Sequence, residues 1–111
     1  MPWPPTVQTV TVTAGALGYR HPDGSPYTGL VRFTPEVVIS SAEHDAIVQG
    51  AVTVALDDDG QFTVDLLATD AAGFSPTGWS YRVDEEWSDA PGRTYLLQLP
   101  AAEPEVALPD V

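Results

Sequence analysis

Prolines and glycines are spread so densely along this chain that long helices have almost no room. Among 111 residues there are eleven prolines and nine glycines, and few uninterrupted windows reach the length of an ordinary helix. Between these breaks, β-branched and aromatic residues alternate with polar ones at a period of two, which is typical of strands with one buried face. The sequence therefore predicts an all-β protein.

About seven short strands are predicted from this alternation. They cover residues 6–17, 29–34, 37–40, 51–56, 61–67, 79–87 and 93–99. Arg20–Pro26 contains Pro-Asp-Gly and predicts a turn. Asp57–Gly60 predicts a hairpin that pairs the strands on either side of it. Short strands with turns at close spacing are typical of an antiparallel β-sandwich of the immunoglobulin-like kind.

The ends of the chain differ from its middle. Residues 6–99 carry the strand pattern and are predicted to form one domain, whereas residues 1–5 and 100–111 are rich in proline and poor in core residues. Such segments are predicted to be extended arms that contact a neighbouring subunit. Tryptophan is enriched in interface hot spots. The sequence thus suggests six interface residues: Trp3, Pro4, Pro5, Trp87, Leu108 and Pro109.

The charge of the chain narrows the choice of partners. Sixteen acids face four bases, all arginines, for a formal net charge of −12. The negative electrostatic potential of such a chain repels phosphate backbones and anionic lipids. We therefore expect neither a nucleic acid nor a membrane surface as a partner. No apolar run is long enough for a membrane span, and the first residues lack the pattern of a signal peptide.

Few residue patterns indicate chemistry. Cysteine is absent, which excludes disulfides and thiolate ligands. The acids of Asp57–Gly60 could suggest calcium, but they fit a solvated turn better. In Glu43-His44-Asp45, neighbouring side chains of an extended segment point to opposite faces and do not easily converge on a metal. The acids of Asp84-Glu85-Glu86 fit a charged strand end. We therefore predict a non-enzymatic protein with no metal and no cofactor.

Four phrases in a set order resemble a known family. They are Pro22–Pro26 followed by Gly29–Pro35, then Leu56–Leu66 followed by Ala68–Asp70, then Pro76–Glu85, and finally Tyr95–Pro100. This order resembles an N-terminal module of minor tail or tail-fibre proteins from tailed phages and prophages of high-GC Gram-positive bacteria. The likeness covers about Val10 to Val111. The first half is also similar to carboxypeptidase-regulatory or transthyretin-like β-sandwich modules, which share the phrase Asp-Gly-x-Pro-x-x-Gly.

The resemblance implies a structural part of a virion, made in the bacterial cytoplasm and placed on a phage tail or particle surface. It implies docking on other virion structural proteins, self-association with a trimer favoured, and no catalytic residues. Two alternatives stay open: a capsid-decoration or head-spike subunit, and a carbohydrate-binding β-sandwich module. In the second, exposed tryptophans would stack on sugar rings. An interface role for the tryptophans is favoured over a role in glycan binding.

Overall fold

The computed structural model describes residues 3–88 and 90–110 and confirms the all-β prediction. Within those ranges, nine strands and one short 3₁₀ helix follow one another, instead of about seven strands. They are β1 (Thr9–Thr13), β2 (Gly29–Pro35), β3 (Ile39–Ser41), β4 (Ala46–Val48), β5 (Val52–Ala55), β6 (Thr63–Leu67), β7 (Tyr81–Trp87), β8 (Thr94–Leu97), β9 (Glu105–Ala107) and the helix Leu108–Asp110. The sequence predicts neither β4 nor β9.

Two sheets form the sandwich, and a smaller third sheet is attached to it. The larger sheet is antiparallel and has the order β5-β2-β7-β8. The second has the order β6-β1-β9, in which β1 runs antiparallel to β6 and parallel to β9. The third contains β3 and β4. Ser40 on β3 and Ser75 exchange two backbone hydrogen bonds of 2.9 Å, which tie this third sheet to the loop before β7.

The core lies between the two larger sheets and contains most of the apolar residues that alternate along the strands, although Val52 on β5 is 41% exposed. Phe33 on β2 faces Phe62, with 6.1 Å between their ring centroids, and full burial of such a side chain stabilises the fold by about 1.5–3 kcal/mol. Polar neighbours such as Arg32 lie on the outer face because successive side chains of a strand point to opposite sides. The buried inward residues include Val10, Val12, Ala14, Val31, Phe33, Tyr81, Val83, Leu97 and Leu99.

The turn at Asp57–Gly60 forms as predicted, but the hairpin prediction is wrong. The Asp57 carboxylate accepts hydrogen bonds from the backbone N–H groups of Asp59 at 2.8 Å and Gln61 at 3.0 Å. Beyond the turn, β5 pairs with β2 and β6 pairs with β1, so the chain crosses from one sheet to the other. Val54 on β5 and Val64 and Leu66 on β6 all pack on the core. Burial of this kind is met equally by neighbours in one sheet and by strands that face each other across two sheets.

The prediction that residues 100–111 form an extended arm outside the domain is also wrong for the part that the structure describes. β9 pairs in parallel with β1, and the N–H of Thr11 donates to the carbonyl of Pro104 at 2.9 Å. Leu108 is fully buried in the core, so it is not available as an interface residue. This edge of β1 needs hydrogen-bond partners, and the C-terminal segment supplies them. Val111, the last residue of the predicted arm, lies outside the described residues.

The described part of the N-terminal arm lies against its own domain instead of projecting from it. The rings of Trp3 and Phe74 meet edge to face, with centroids 6.0 Å apart, and Trp3 packs on the core cluster. The N–H of Val7 donates to the carbonyl of Pro4 at 3.0 Å. Pro4 and Pro5 are exposed. Met1 and Pro2, which belong to the predicted arm 1–5, lie outside the described residues.

Candidate functional site: an aromatic groove above Glu85

A groove of about 310 Å³ opens where the loop before β2 meets the end of β7 and the segment leading to β8. We call it the aromatic groove. Its wall includes Tyr19, Tyr27, Trp87, Pro91, Arg93 and Pro109. Two of the six sequence-predicted interface residues, Trp87 and Pro109, therefore come together here although they are far apart in the chain. Trp3, Pro4 and Pro5 do not line this groove, and Leu108 lies in the core.

Three half-buried aromatic rings form the wall of the groove. The ring centroid of Trp87 lies 4.6 Å from that of Tyr19 and 5.3 Å from that of Tyr27. The two tyrosine rings are almost parallel, at 12° and 6.3 Å. Pairs of this kind stabilise one another by about 0.5–1.5 kcal/mol beyond their buried area. The cluster is therefore a preformed surface.

Backbone hydrogen bonds hold the loop that carries Tyr19 and Tyr27 against the turn that follows β5. Tyr19 donates its N–H to the carbonyl of Gly60 at 2.8 Å and accepts from the N–H of Tyr27 at 3.0 Å. Gly60 has a φ of +71°, and a Cβ there would overlap the carbonyl oxygen of Tyr19. Only glycine meets both conditions without strain. The predicted turn at Arg20–Pro26 is confirmed, with Gly24 at a φ of +87°.

Trp87 lies against β2 because that strand begins with a glycine. Gly29 is the register partner of Trp87. A Cβ on Gly29 would overlap the carbonyl oxygen of Glu86 and would lie 2.9 Å from the indole ring, which is closer than real Cβ atoms come. The missing side chain allows the ring to sit over the start of the strand.

Glu85, beneath the aromatic wall, is the centre of a charged hydrogen-bond network. Its side chain is only 1% exposed. Arg93 donates from Nε to Oε1 at 2.7 Å and from Nη2 to Oε2 at 2.8 Å, a bidentate pair. The Tyr19 hydroxyl donates to Oε2 at 2.7 Å, and the Tyr95 hydroxyl lies 3.4 Å from the same oxygen. Both carboxylate oxygens of Glu85 are therefore engaged.

The network keeps Glu85 ionised in spite of its burial. Burial alone would raise the pKa of the Glu85 carboxyl, but the hydrogen bonds from Arg93 and Tyr19 and the charge of Arg93 outweigh it and hold that pKa below its ordinary value. Burial and the hydrogen bond to Glu85 raise the pKa of Tyr19, and burial raises the pKa of Tyr95. The ion pair of Glu85 with Arg93 and the two neutral hydroxyl groups of Tyr19 and Tyr95 therefore lie beneath the groove.

Four functional residues of the groove are not among the six interface residues that the sequence suggests: Glu85, Arg93, Tyr19 and Tyr27. A signal was present at Glu85, which continues the inward row of Tyr81 and Val83 on β7. A carboxylate in an otherwise apolar row indicates a buried charge that needs a partner. The interpretation of the three acids as a charged strand end is wrong for Glu85, which is buried, whereas Asp84 and Glu86 lie on the outer face.

The other clusters considered from the sequence do not assemble into sites. Asp84 and Glu86 lie on the outer face of β7, opposite to Glu85, where Glu86 pairs with Arg32 at 2.6 Å. The ring of His44 stacks on Phe74 at 5.2 Å between centroids. Among residues 3–88 and 90–110, no three His, Asp or Glu side chains are grouped to hold a metal ion. The same residues include no helix with the length and apolar character of a membrane span.

Known proteins offer no guide to this groove. Comparisons with protein-family models, with curated protein sequences and with solved structures found no match to the chain.

Proposed function

We propose that the chain is a non-enzymatic structural protein of a phage tail, a tail fibre or a related particle, and that it docks on another virion protein through the aromatic groove. Self-association is part of this proposal, and the trimer favoured by the resemblance stays a prediction. The place in a virion rests on the order of phrases shared with tail proteins. The docking role rests on the groove itself.

The composition and rigidity of the groove support docking. Tryptophan, tyrosine and arginine are the residues most enriched in interface hot spots, and Trp87, Tyr27 and Arg93 are all part of this wall. Arg93 is held by Glu85, and Trp87 and Tyr27 are held by ring contacts with each other and with Tyr19. Little side-chain freedom therefore remains to be lost on binding. The groove also carries two of the four arginines, Arg20 and Arg93, and Glu85 compensates the charge of Arg93 alone. It is therefore a place where a neutral or acidic protein surface can approach this acidic chain.

The state of Glu85 supports a non-enzymatic role. A general base needs a free oxygen within reach of a substrate proton. Both oxygens of Glu85 accept hydrogen bonds from its own chain, and its pKa is held below the ordinary value. This places the group far from the near-neutral pKa that favours proton transfer.

Trp87→Ala should reduce the amount of this chain in assembled particles by about tenfold or more, the effect of losing a hot-spot side chain. The measurement is an immunoblot of purified particles assembled with wild-type or variant chain. Leu96→Ala serves as the control because Leu96 is an exposed apolar residue on β8 that does not line the groove. Circular dichroism of the purified variants checks folding.

A second variant keeps this test decisive if Trp87→Ala weakens the fold. Pro91→Glu adds a charge to an exposed position on the rim of the groove without removing a packed ring. Normal incorporation of both variants would contradict docking through the groove. Gold-labelled antibody on intact particles then separates a tail position from the capsid-decoration alternative, in which the label would lie on the head.

Carbohydrate binding is the second candidate, because aromatic rings line the groove. Trp87, Tyr19 and Tyr27 all line the open groove, and an exposed aromatic face can stack on a sugar ring. In that case a glycan array would give a signal that Trp87→Ala removes. Silence of the array together with lost particle incorporation would favour the docking role.

A further inference from the structure

The side chains that line the aromatic groove have hydrogen-bond donors to spare. The indole N–H of Trp87 and the hydroxyl of Tyr27 have no hydrogen-bond partner within residues 3–88 and 90–110. In the same part of the chain every fully buried polar side-chain atom has a partner, so these two groups are open to solvent. Arg93 engages Glu85 through Nε and Nη2, which leaves the N–H groups of its Nη1 free to donate. Three residues of the wall can therefore donate to a bound molecule.

Acceptors around the groove, in contrast, are already used by the chain itself. Both carboxylate oxygens of Glu85 accept hydrogen bonds, and its side chain is only 1% exposed. The Arg20 guanidinium donates to the backbone carbonyls of Leu17, Gly24 and Asp59. A bound strand or loop would bring backbone N–H groups into a place where these acceptors are taken, and an unpaired buried donor is costly. The groove therefore favours a backbone that accepts hydrogen bonds and has few N–H groups of its own.

A proline-rich segment has such a backbone. Proline carries no N–H, and the polyproline II helix has no internal hydrogen bonds, so its carbonyls are available to outside donors. Grooves lined by aromatic rings recognise such segments, whose extended conformation is set before binding and loses little entropy. The aromatic groove has this lining, with the rings of Tyr19, Tyr27 and Trp87 beside Pro91 and Pro109.

The charges around the groove favour a segment without charge. A basic side chain in the groove would meet the guanidinium of Arg20, whose hydrogen bonds go to carbonyls and not to a carboxylate. An acidic side chain would approach a chain with a net charge of −12, so the attraction of Arg20 and the repulsion of the whole chain oppose each other. Prolines avoid both costs.

We propose that the aromatic groove binds an uncharged, proline-rich segment of another protein in the polyproline II conformation. The prolines pack on the aromatic wall, and the segment's carbonyls accept hydrogen bonds from the Trp87 indole, the Tyr27 hydroxyl and Arg93. This inference rests on the docking role in the proposed function and names the kind of segment that docks.

The test is a nuclear magnetic resonance titration of the ¹⁵N-labelled chain with an end-capped peptide of about nine prolines, about three turns of the helix. The three tryptophans give three indole N–H signals. The Trp87 signal should move and saturate with a Kd of about 1 mM or lower. The signals of Trp79, which is buried, and of Trp3, which lines a different cavity, should stay in place. A Gly-Ser peptide of equal length should move none of them, because it is flexible and carries an N–H at every residue.

Trp87→Phe identifies the indole signal and tests the hydrogen bond, because it keeps an aromatic ring and removes the N–H. It should weaken binding of the proline peptide about fivefold, the effect of losing one hydrogen bond. Tyr27→Phe removes a hydroxyl alone and should weaken binding to a similar extent, which provides a second variant if Trp87→Phe disturbs the fold. Trp3→Phe is the matched control outside the groove and should leave the Kd unchanged.

The outcomes separate this inference from the proposed function. A Trp87 signal that stays in place up to about 5 mM proline peptide, where a site with a Kd of about 1 mM is largely filled, would overturn proline recognition. An equal response to the Gly-Ser peptide would overturn it too. If Trp87→Ala still abolished particle incorporation in either case, docking through the groove would stand with a different occupant. Binding of the proline peptide together with normal incorporation of Trp87→Ala would support proline recognition and contradict docking on the particle.

Discussion

Leu108→Ala should lower the free energy of unfolding by about 3 kcal/mol, the usual cost of removing a buried leucine side chain and leaving a cavity. Leu108 is fully buried, and the helix Leu108–Asp110 that carries it directly follows β9. The loss should appear in urea titrations as a lower midpoint with an unchanged slope.

Leu96→Ala is the matched control for this prediction. Leu96 is 58% exposed on the outer face of β8, so its truncation should change the free energy of unfolding by no more than about 0.5 kcal/mol. A chain that ends at Glu103 loses β9 and Leu108 together and should lack a cooperative unfolding transition. Wild-type stability of the shortened chain would show that residues 104–111, within the predicted arm 100–111, are not needed for the fold.

Glu85→Gln should lower the free energy of unfolding by about 1–3 kcal/mol at neutral pH, because hydrogen bonds to a charged group are the stronger kind. The substitution keeps the shape of the side chain but removes the charge that pairs with Arg93. A larger loss of stability is expected only where both partners of a broken ion pair are buried. The Arg93 side chain is 53% exposed, so water solvates it after the pair is lost and limits the damage.

The effect of Glu85→Gln should depend on pH in a defined direction. The folded-state pKa of Glu85 is below its ordinary value of 4.5, so the unfolded chain takes up a proton at this group before the folded one does as the pH falls. The contribution of Glu85 is complete above the unfolded-state pKa and declines as the pH drops through the folded-state value. Thermal unfolding between neutral and acidic pH should show the wild type approaching Glu85→Gln at the acidic end.

Glu86→Gln on the same strand is the control for the pH experiment. Glu86 pairs with Arg32 on the outer face, where both side chains are half exposed, and such pairs contribute about 0–1 kcal/mol. The Glu86→Gln variant should still lose most of the thermal stability that the wild type loses between neutral and acidic pH. A pH profile of Glu85→Gln that runs parallel to that of the wild type would contradict the assignment of Glu85 as a stabilising buried carboxylate.

The local patterns of the sequence predict the strands of the core well. The alternation at Val10 and Val12, at Val31 and Phe33, and at Tyr81 and Val83 predicts which side chains are buried, since side-chain direction in a strand repeats every two residues. The turns at Arg20–Pro26 and Asp57–Gly60 are also predictable, because proline, aspartate and glycine determine backbone angles over only a few residues.

The candidate site was predictable only in part. Trp87 and Pro109 were suggested one by one, as residues of types and positions that favour interfaces, and the structure places them in one groove. The clustering of Tyr19 and Tyr27 with Trp87 depends on the loop before β2 folding back on Gly60, a contact between segments far apart in the chain. Nothing in the alternation of either segment indicates that contact.

By itself the sequence determined the all-β class, the inward rows and the main turns, because each depends on the period of two or on the backbone angles of a few adjacent residues. Only the tertiary structure decided which strands are neighbours: β5 and β6 separate into different sheets, and β9 joins β1. It also decided that Glu85 is buried and paired with Arg93. Strand pairing and charge burial depend on segments that meet only in the folded chain, and alternation carries no information about which segments those are.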